Sequence, residues 1–115
     1  MIRAIFSYDK EKREASMKVC GHAGQAKHGE DIVCASASIL AYTLAQVIKA
    51  MEHNGDLAEP TTIDMESGDA VIVCRAKDLF LFAEVMYAFF VIETGYTLLA
   101  KNYPQFVEFI RDGEA

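Results

Sequence analysis

A histidine and a cysteine twelve residues apart, His22 and Cys34, are the residues of this sequence best suited to covalent chemistry. His22 stands in the run Gly21-His22-Ala23-Gly24, and a short glycine-containing segment joins it to Cys34. Because closing so short a loop has a small entropic cost, the imidazole and the thiol can meet. A cysteine deprotonated by a histidine is the minimal unit for nucleophilic attack on a carbonyl group. We therefore interpret Cys34 as a nucleophile and His22 as its general base.

The predicted helix around Cys34 supports this interpretation. Asp31 is a good N-cap, and it is followed at helical spacing by the apolar residues Ile32, Ile39, Leu40, Leu44, Val47, Ile48 and Met51. A helix that begins at Asp31 makes Cys34 its third residue, close to the positive end of the helix dipole and to unpaired backbone N–H groups. That position favours a thiolate and can stabilise an oxyanion, although the charge of Asp31 opposes the thiolate unless the carboxylate is used in capping.

Two plainer interpretations stand beside this one. A single cysteine at a helix start is often a small buried core residue, and position 34 fits that role as well. Ser38 lies one turn after Cys34, where its hydroxyl can hydrogen-bond near the site. The favoured interpretation of Ser38 is a hydrogen bond to the carbonyl of Cys34 within the helix.

A zinc site is the competing constellation. Its ligands would be the residues of the spacing C-x-H-x5-H-x5-C, namely Cys20, His22, His28 and Cys34. This spacing is not a common zinc pattern, and the sequence has no C-x2-C pair. We therefore predict no metal and no cofactor, with His28 a solvated loop residue and Cys74 a core residue.

The elements that must position these residues follow from periodicity. Alternating apolar residues predict strands at 2–8 and 14–21, and a hairpin at 61–66 and 70–75. Helical spacing and caps predict helices from Asp31 to Asn54-Gly55 and from Asp78 to about Ala100, with a possible last strand at 105–110. The order ββαββα(β) predicts one α+β domain over residues 1–115, a two-layer sandwich with two helices packed on one sheet.

Composition restricts the class of partner. A net charge of -6 is unsuited to binding nucleic-acid phosphates and compatible with a basic protein partner. Three cysteines, an odd number, fit a reducing compartment better than a secreted disulfide scaffold. The most apolar stretch, 79–92, contains Glu84 and is shorter than the roughly 20 residues that cross a bilayer. We expect a soluble cytoplasmic protein without membrane contact.

The residues also resemble a known family. The run Gly21-His22-Ala23-Gly24, followed by Asp31-Ile32-Val33-Cys34-Ala35 and Ser38, is similar to the ribosomal-processing cysteine protease family, called Prp. The resemblance implies a cytoplasmic endopeptidase that removes a short N-terminal extension from ribosomal protein L27. It also implies a homodimer with a mobile substrate loop over the site, here 23–30.

Residue roles transfer from the resemblance by position. It implies that His22 is the general base and Cys34 the nucleophile. It also implies that Asp31 has a capping or orienting role at the site and that Ser38 supports the site. The residues assigned to the substrate loop are Gly21, Ala23, Gly24 and Gly29. Ser36 departs mildly from the small apolar residue expected at its position. Two alternatives remain open: a different protein substrate, such as one from a phage, and a non-catalytic ribosome-assembly or regulatory binding module.

Overall fold

The fold is an α+β sandwich built from five strands and two helices within the described residues. The computed structural model describes residues 1–22, 28–66 and 68–113, with the backbone alone at 28–31 and 113. Its elements, in chain order, are β1 (Ile2–Asp9), β2 (Glu14–Cys20), α1 (His28–His53), β3 (Thr62–Glu66), β4 (Asp69–Arg75), α2 (Leu79–Asn102) and β5 (Val107–Gly113). This order confirms the predicted ββαββα(β) arrangement. The last strand begins two residues later than predicted and extends three residues further.

The strands form one mixed sheet in the order β3-β4-β2-β1-β5. Every neighbouring pair is antiparallel except β1 and β5, which run parallel. One face of the sheet is buried under the helices, and the alternation read from the sequence identifies it correctly: the buried residues of β1 and β2 include Ile2, Ala4, Phe6, Ala15, Met17 and Val19. The opposite face of β1 and β2 carries most of their polar residues, including Arg3, Ser16 and Lys18, so a residue's parity decides whether it can approach a helix.

Helix α2 begins where the sequence predicted. Asp78 has extended backbone geometry, and its carboxylate accepts a 2.8 Å hydrogen bond from the backbone N–H of Leu81. The helix ends at Asn102, and the N–H of Tyr103 donates to the carbonyl of Leu99 before Pro104 prevents continuation. By length and composition alone, α1 and α2 are each long and apolar enough to cross a membrane. The apolar stretch read from the sequence, 79–92, covers only part of α2. Both helices nevertheless contribute buried residues to the core over the sheet.

The N-terminus of α1 differs from the prediction. The helix begins at His28, so Asp31 is not its N-cap and Cys34 is its seventh residue rather than its third. The glycine at position 29 suggested a loop, but a single glycine costs a helix only about 1 kcal/mol relative to alanine. Glu30 and Asp31 then fall in the first turn, where acidic residues are favourable.

The core side of α1 consists largely of small residues. Of the apolar residues at helical spacing, Leu44 and Ile48 are fully buried, whereas Ile32, Ile39 and Val47 are exposed. The remaining core positions are filled largely by alanine, with Ala37, Ala41 and Ala45 all buried. Small residues there allow the helix backbone to approach its neighbours closely, which apolarity alone does not indicate.

The outward sides of the two helices carry many large apolar residues. We call this surface the outer helix face; it consists of Ile32, Ile39, Tyr42, Val47, Leu79, Phe80, Tyr87, Phe90, Val91 and Leu98, each at least 41% exposed. The aromatic residues of α2 lie in two different environments. Phe82 and Phe89 belong to the core, whereas Phe80, Tyr87 and Phe90 belong to this face.

Candidate active site

His22 and Cys34 line the same cleft. It has a volume of about 310 Å³ and lies where the end of β2 and the β3–β4 turn meet α1. Its walls come from strand residues and the segment after β2, from the β3–β4 turn, and from α1. The residues that line it are Ile2, Val19, Gly21, His22, Cys34, Ala37, Ser38, Ala41, Tyr42, Met65, Glu66, Gly68, Asp69 and Ala70. The structure thus brings together the two residues that the sequence selected for covalent chemistry.

Gly21 directs His22 into this cleft. A straight continuation of β2 would place His22 on the side of Cys20, away from the helices. The strand ends at Cys20, and Gly21 takes φ +95°, a left-handed conformation that glycine adopts readily. A Cβ at position 21 would also overlap the carbonyl oxygen of Met1. The change of backbone direction after Cys20 therefore explains how His22 reaches a cleft on the helix side of the sheet, although the alternation of β2 alone would place it on the opposite side.

Backbone hydrogen bonds hold this turn from two directions. The N–H of Gly21 donates to the carbonyl oxygen of Gly68 at 2.9 Å. The amino nitrogen of Met1 donates to the carbonyl oxygen of His22 at 2.5 Å. The main chain on either side of the imidazole is thereby fixed, while the His22 side chain itself remains exposed to the cleft.

Cys34 presents a half-buried free thiol on the second turn of α1. The four unpaired N–H groups of a helix belong to its first turn, which here precedes Cys34. Helical side chains point back towards the N-terminus, so the thiol lies over the turn that carries the positive end of the dipole. Cys34 is therefore about one turn further from the helix start than the predicted third position.

Ser38 is exposed and lines the cleft one turn after Cys34. The expected hydrogen bond from its hydroxyl to the carbonyl of Cys34 is not among the contacts of the described residues, so that interpretation was wrong. It is Ser36, on another side of α1, whose hydroxyl bonds back to Ile32 at 2.8 Å. Ser38 is thus placed to contact a bound molecule.

The predicted substrate loop is only partly described. Ala23 and Gly24 lie outside the described residues, as does the side chain of Asp31, so the loop role of the first two and the orienting role of Asp31 stay predictions. Gly29 is part of α1, which corrects its assignment to a loop. Sequence reasoning missed the β3–β4 turn as a wall of the cleft, although it predicted the hairpin at 61–66 and 70–75.

The competing zinc arrangement gains no support from the described geometry. Among the described side chains, those of residues 1–22, 32–66 and 68–112, no three histidine, cysteine or acidic groups are placed to hold a metal ion. The side chain of His28 lies outside them. Cys20 is not among the residues of the cleft that contains His22 and Cys34. Cys74 is 3% exposed, as predicted for a core residue, and burial, aided by the charge of Glu14, raises its pKa to about 12. Its thiol stays protonated at neutral pH.

Comparison of the sequence with known protein families agrees with the chemistry that the cleft suggests. A profile of the family described as cysteine protease Prp matches residues 1–108. The chain belongs to the Prp cysteine protease family. The resemblance recognised from the His22 and Cys34 segments is confirmed, and the protein is a cysteine protease. No curated protein matches the chain.

Solved structures show the same fold as this Prp chain. The protein SMU.848 from Streptococcus mutans is 29% identical, with a TM-score of 0.67 over 99% of this chain and 96% of that one. The essential ribosomal processing protease Prp from S. aureus, in complex with a substrate peptide, is 18% identical, with a TM-score of 0.70 over 97% and 100%. The same S. aureus protease with a covalently linked product peptide is 19% identical, with a TM-score of 0.66 over 97% and 100%.

Proposed function

We propose that this Prp protease removes the N-terminal extension of ribosomal protein L27, with Cys34 as nucleophile and His22 as general base. The observation that carries the proposal is the shared cleft: a half-buried thiol and an exposed imidazole line one cavity in a chain of the cysteine protease family. The S. aureus relative is described as a ribosomal processing protease bound to a substrate peptide, which supports the same class of substrate here.

The reaction follows from the two side chains. His22 removes the proton of the Cys34 thiol, and the thiolate attacks the scissile carbonyl carbon to give a tetrahedral oxyanion. The oxyanion collapses, the C–N bond breaks, and the His22 imidazolium protonates the departing amine. This leaves a thioester between Cys34 and the N-terminal fragment. His22 then deprotonates water, which attacks the thioester and releases a carboxylic acid and the free thiol.

The walls of the cleft suit a peptide with apolar and basic parts. Ile2, Val19 and Met65 provide apolar surface, while Glu66 and Asp69 at the β3–β4 turn provide two exposed carboxylates. The whole chain carries a net charge of -6, which favours encounter with a positively charged partner. Ribosomal proteins bind RNA and are commonly basic, so the electrostatics support a substrate of that kind.

The decisive experiment is cleavage of a synthetic peptide that spans the L27 processing site, followed by mass spectrometry. We expect Cys34→Ala to abolish cleavage and His22→Ala to reduce it to a similar extent, because a nucleophile and its base act as a unit. Cys20→Ala is the matched control: it removes a thiol that is not part of the cleft, so activity should be retained. Undiminished cleavage by Cys34→Ala would contradict the proposal.

Two alternatives predict different results in the same assay. A member with another protein substrate would cleave a different peptide but depend equally on Cys34. A non-catalytic assembly module would bind the L27 precursor without cleaving it, and Cys34 would react slowly with alkylating agents at neutral pH. Cys34 alkylation followed over pH therefore separates a protease from a module even when the substrate is not known.

We further propose that the protein is a cytoplasmic homodimer whose second copy covers the outer helix face. Ten large apolar side chains on adjacent helices are more than a soluble monomer usually exposes together. The molecule measures 44 × 24 × 16 Å, so its broad sides have room for the ~800 Å² per partner that stable dimers bury. Three free cysteines agree with a reducing compartment.

Light scattering during size exclusion tests the dimer. On α2, Phe80, Tyr87, Val91 and Leu98 follow one stripe, so Val91→Arg places a charge at the centre of the proposed contact. We expect this variant to be monomeric, whereas Lys101→Glu, a charge change at the end of the same helix, should leave the dimer intact. A wild-type monomer at micromolar concentration, or binding of the wild type to lipid vesicles through this face, would contradict the assignment.

A further inference from the structure

We propose that Gly68, in the β3–β4 turn, is a positioning residue that holds the His22 imidazole in its working orientation. The inference rests on the proposed function, since it assigns a role to a residue that supports the proposed general base. Nothing in the sequence pattern points to this role, because Gly68 follows Glu66 and Ser67 as an ordinary turn glycine. The argument comes from how closely the turn approaches the ring.

The contact between Gly68 and the imidazole leaves no room for a side chain. A Cβ at position 68 would overlap Nε2 of His22 and lie 2.6 Å from Cε1 and 3.2 Å from Cδ2. These three atoms form one edge of the ring, so the Cα of Gly68 borders the edge that carries Nε2. A methyl group at this position would have to displace the imidazole, because the ring is the movable end of the contact.

The same turn also holds the backbone of the histidine segment. The carbonyl oxygen of Gly68 accepts the 2.9 Å hydrogen bond from Gly21, the residue that directs His22 into the cleft. The pairing of Cys20 with Asp69 in the β2–β4 ladder fixes this approach in the sheet. Gly68 therefore restricts the position of the imidazole in two ways. Its carbonyl oxygen holds the main chain before His22, and its Cα lies against the ring.

The chain offers a matched control for the substitution. Gly55, after the end of α1, has φ +82°, almost the same as the +83° of Gly68, but a Cβ there would meet only the Lys77 Nζ at 3.9 Å. Alanine at either position therefore introduces the same backbone strain. Only Gly68→Ala adds the collision with His22. A difference between the two variants measures that collision rather than the unfavourable conformation.

Peptide cleavage and cysteine alkylation provide the first test. We expect Gly68→Ala to lower kcat at least tenfold with a smaller change in KM, and to shift the acid limb of the kcat/KM profile, since the base is displaced while the other walls of the cleft remain. The rate of Cys34 alkylation at neutral pH should fall towards that of His22→Ala. Gly55→Ala should match the wild type in all three. Equal kinetics in the two glycine variants would overturn the inference.

A nuclear magnetic resonance experiment on the wild-type protein keeps the inference testable if Gly68→Ala does not fold or if no peptide is cleaved. We expect a nuclear Overhauser effect between the Gly68 Hα protons and the His22 Hε1 proton, with the ring resonances assigned by their loss in His22→Gln. Its presence without proteolysis would refute the proposed function while supporting the contact. Its absence would refute the role of Gly68 whatever the activity.

Discussion

The hydroxyl of Tyr96 donates a 2.7 Å hydrogen bond to the main-chain oxygen of Ala37, and both residues are buried. This bond joins α2 to α1 at a residue that lines the cleft, one turn from Cys34. Burial raises the pKa of Tyr96, so the hydroxyl keeps its proton over the working pH range. Helix α1, which carries Cys34, is therefore held in position by α2 as well as by the sheet.

Removing that hydroxyl tests the link. We expect Tyr96→Phe to lower the free energy of unfolding by about 1 kcal/mol, the usual net contribution of a hydrogen bond, because the ring keeps its packing. Tyr87→Phe is the control, since Tyr87 is 69% exposed. Urea unfolding of both variants gives the comparison, and equal losses would show that the buried bond has no special effect.

The acidic turn should affect substrate binding through charge. We expect the double variant Glu66→Gln, Asp69→Asn to raise KM for a basic peptide roughly three- to tenfold at low salt, with kcat nearly unchanged, since exposed ion pairs contribute about 0.2–1 kcal/mol each. The difference should shrink at high salt. The double variant Asp64→Asn, Glu84→Gln, which removes two exposed carboxylates that are not part of the cleft, controls for net charge. A salt-independent effect would point to direct structural damage instead.

Gly21→Ala should disrupt the site more severely than an ordinary glycine substitution. The new Cβ would meet the backbone oxygen of Met1, which cannot rotate away as a side chain can, and φ +95° is unfavourable for alanine. We expect peptide cleavage to be lost and the free energy of unfolding to fall by about 2 kcal/mol or more. Circular dichroism melts, with Gly55→Ala as reference, measure the stability. Full activity in Gly21→Ala would contradict this account of how His22 is directed.

A buried acid gives the protein a specific pH response. Glu93 is 6% exposed; it accepts a hydrogen bond from the hydroxyl of Tyr8 and lies 3.7 Å from Nε of Arg111. Burial raises its pKa above the usual 4.5, and the charge of Arg111 only partly offsets this. The folded protein thus holds this proton more tightly than the unfolded chain. The resulting stabilisation is complete below pH 4.5 and is lost as the pH rises through the raised value.

Glu93→Gln isolates this contribution because the amide keeps an acceptor for Tyr8. We expect the variant to be more stable than the wild type at pH 8, by about 1 kcal/mol, and to lose the decline that begins above pH 4.5. Glu84→Gln, an exposed substitution on the same helix, should leave the pH dependence unchanged. Thermal melts between pH 4 and 8 provide the measurement. Parallel curves for the wild type and Glu93→Gln would refute the assignment.

The sequence predicted the elements well and their fine placement less well. Alternation identified the buried face of β1 and β2, and Asp78 identified the start of α2, because these signals are local. The start of α1 was wrong, since Gly29 suggested a loop and Asp31 resembles a cap. The Gly68 contact with His22 was not predictable, because it joins two turns that are distant in the chain and depends on sheet register. The exposed Ile32 and Ile39 show a further limit: apolarity alone does not distinguish a core side from an outer side.

The burial of Cys74 makes the protein convenient for covalent labelling. Of the three thiols, that one is shielded by the core and stays protonated at neutral pH, so reagents in solution will not modify it readily. Replacing Cys20 by serine would then leave Cys34 as the single accessible attachment point. A fluorophore or photo-crosslinker could be installed there without further engineering, and it would report on whatever enters the cleft.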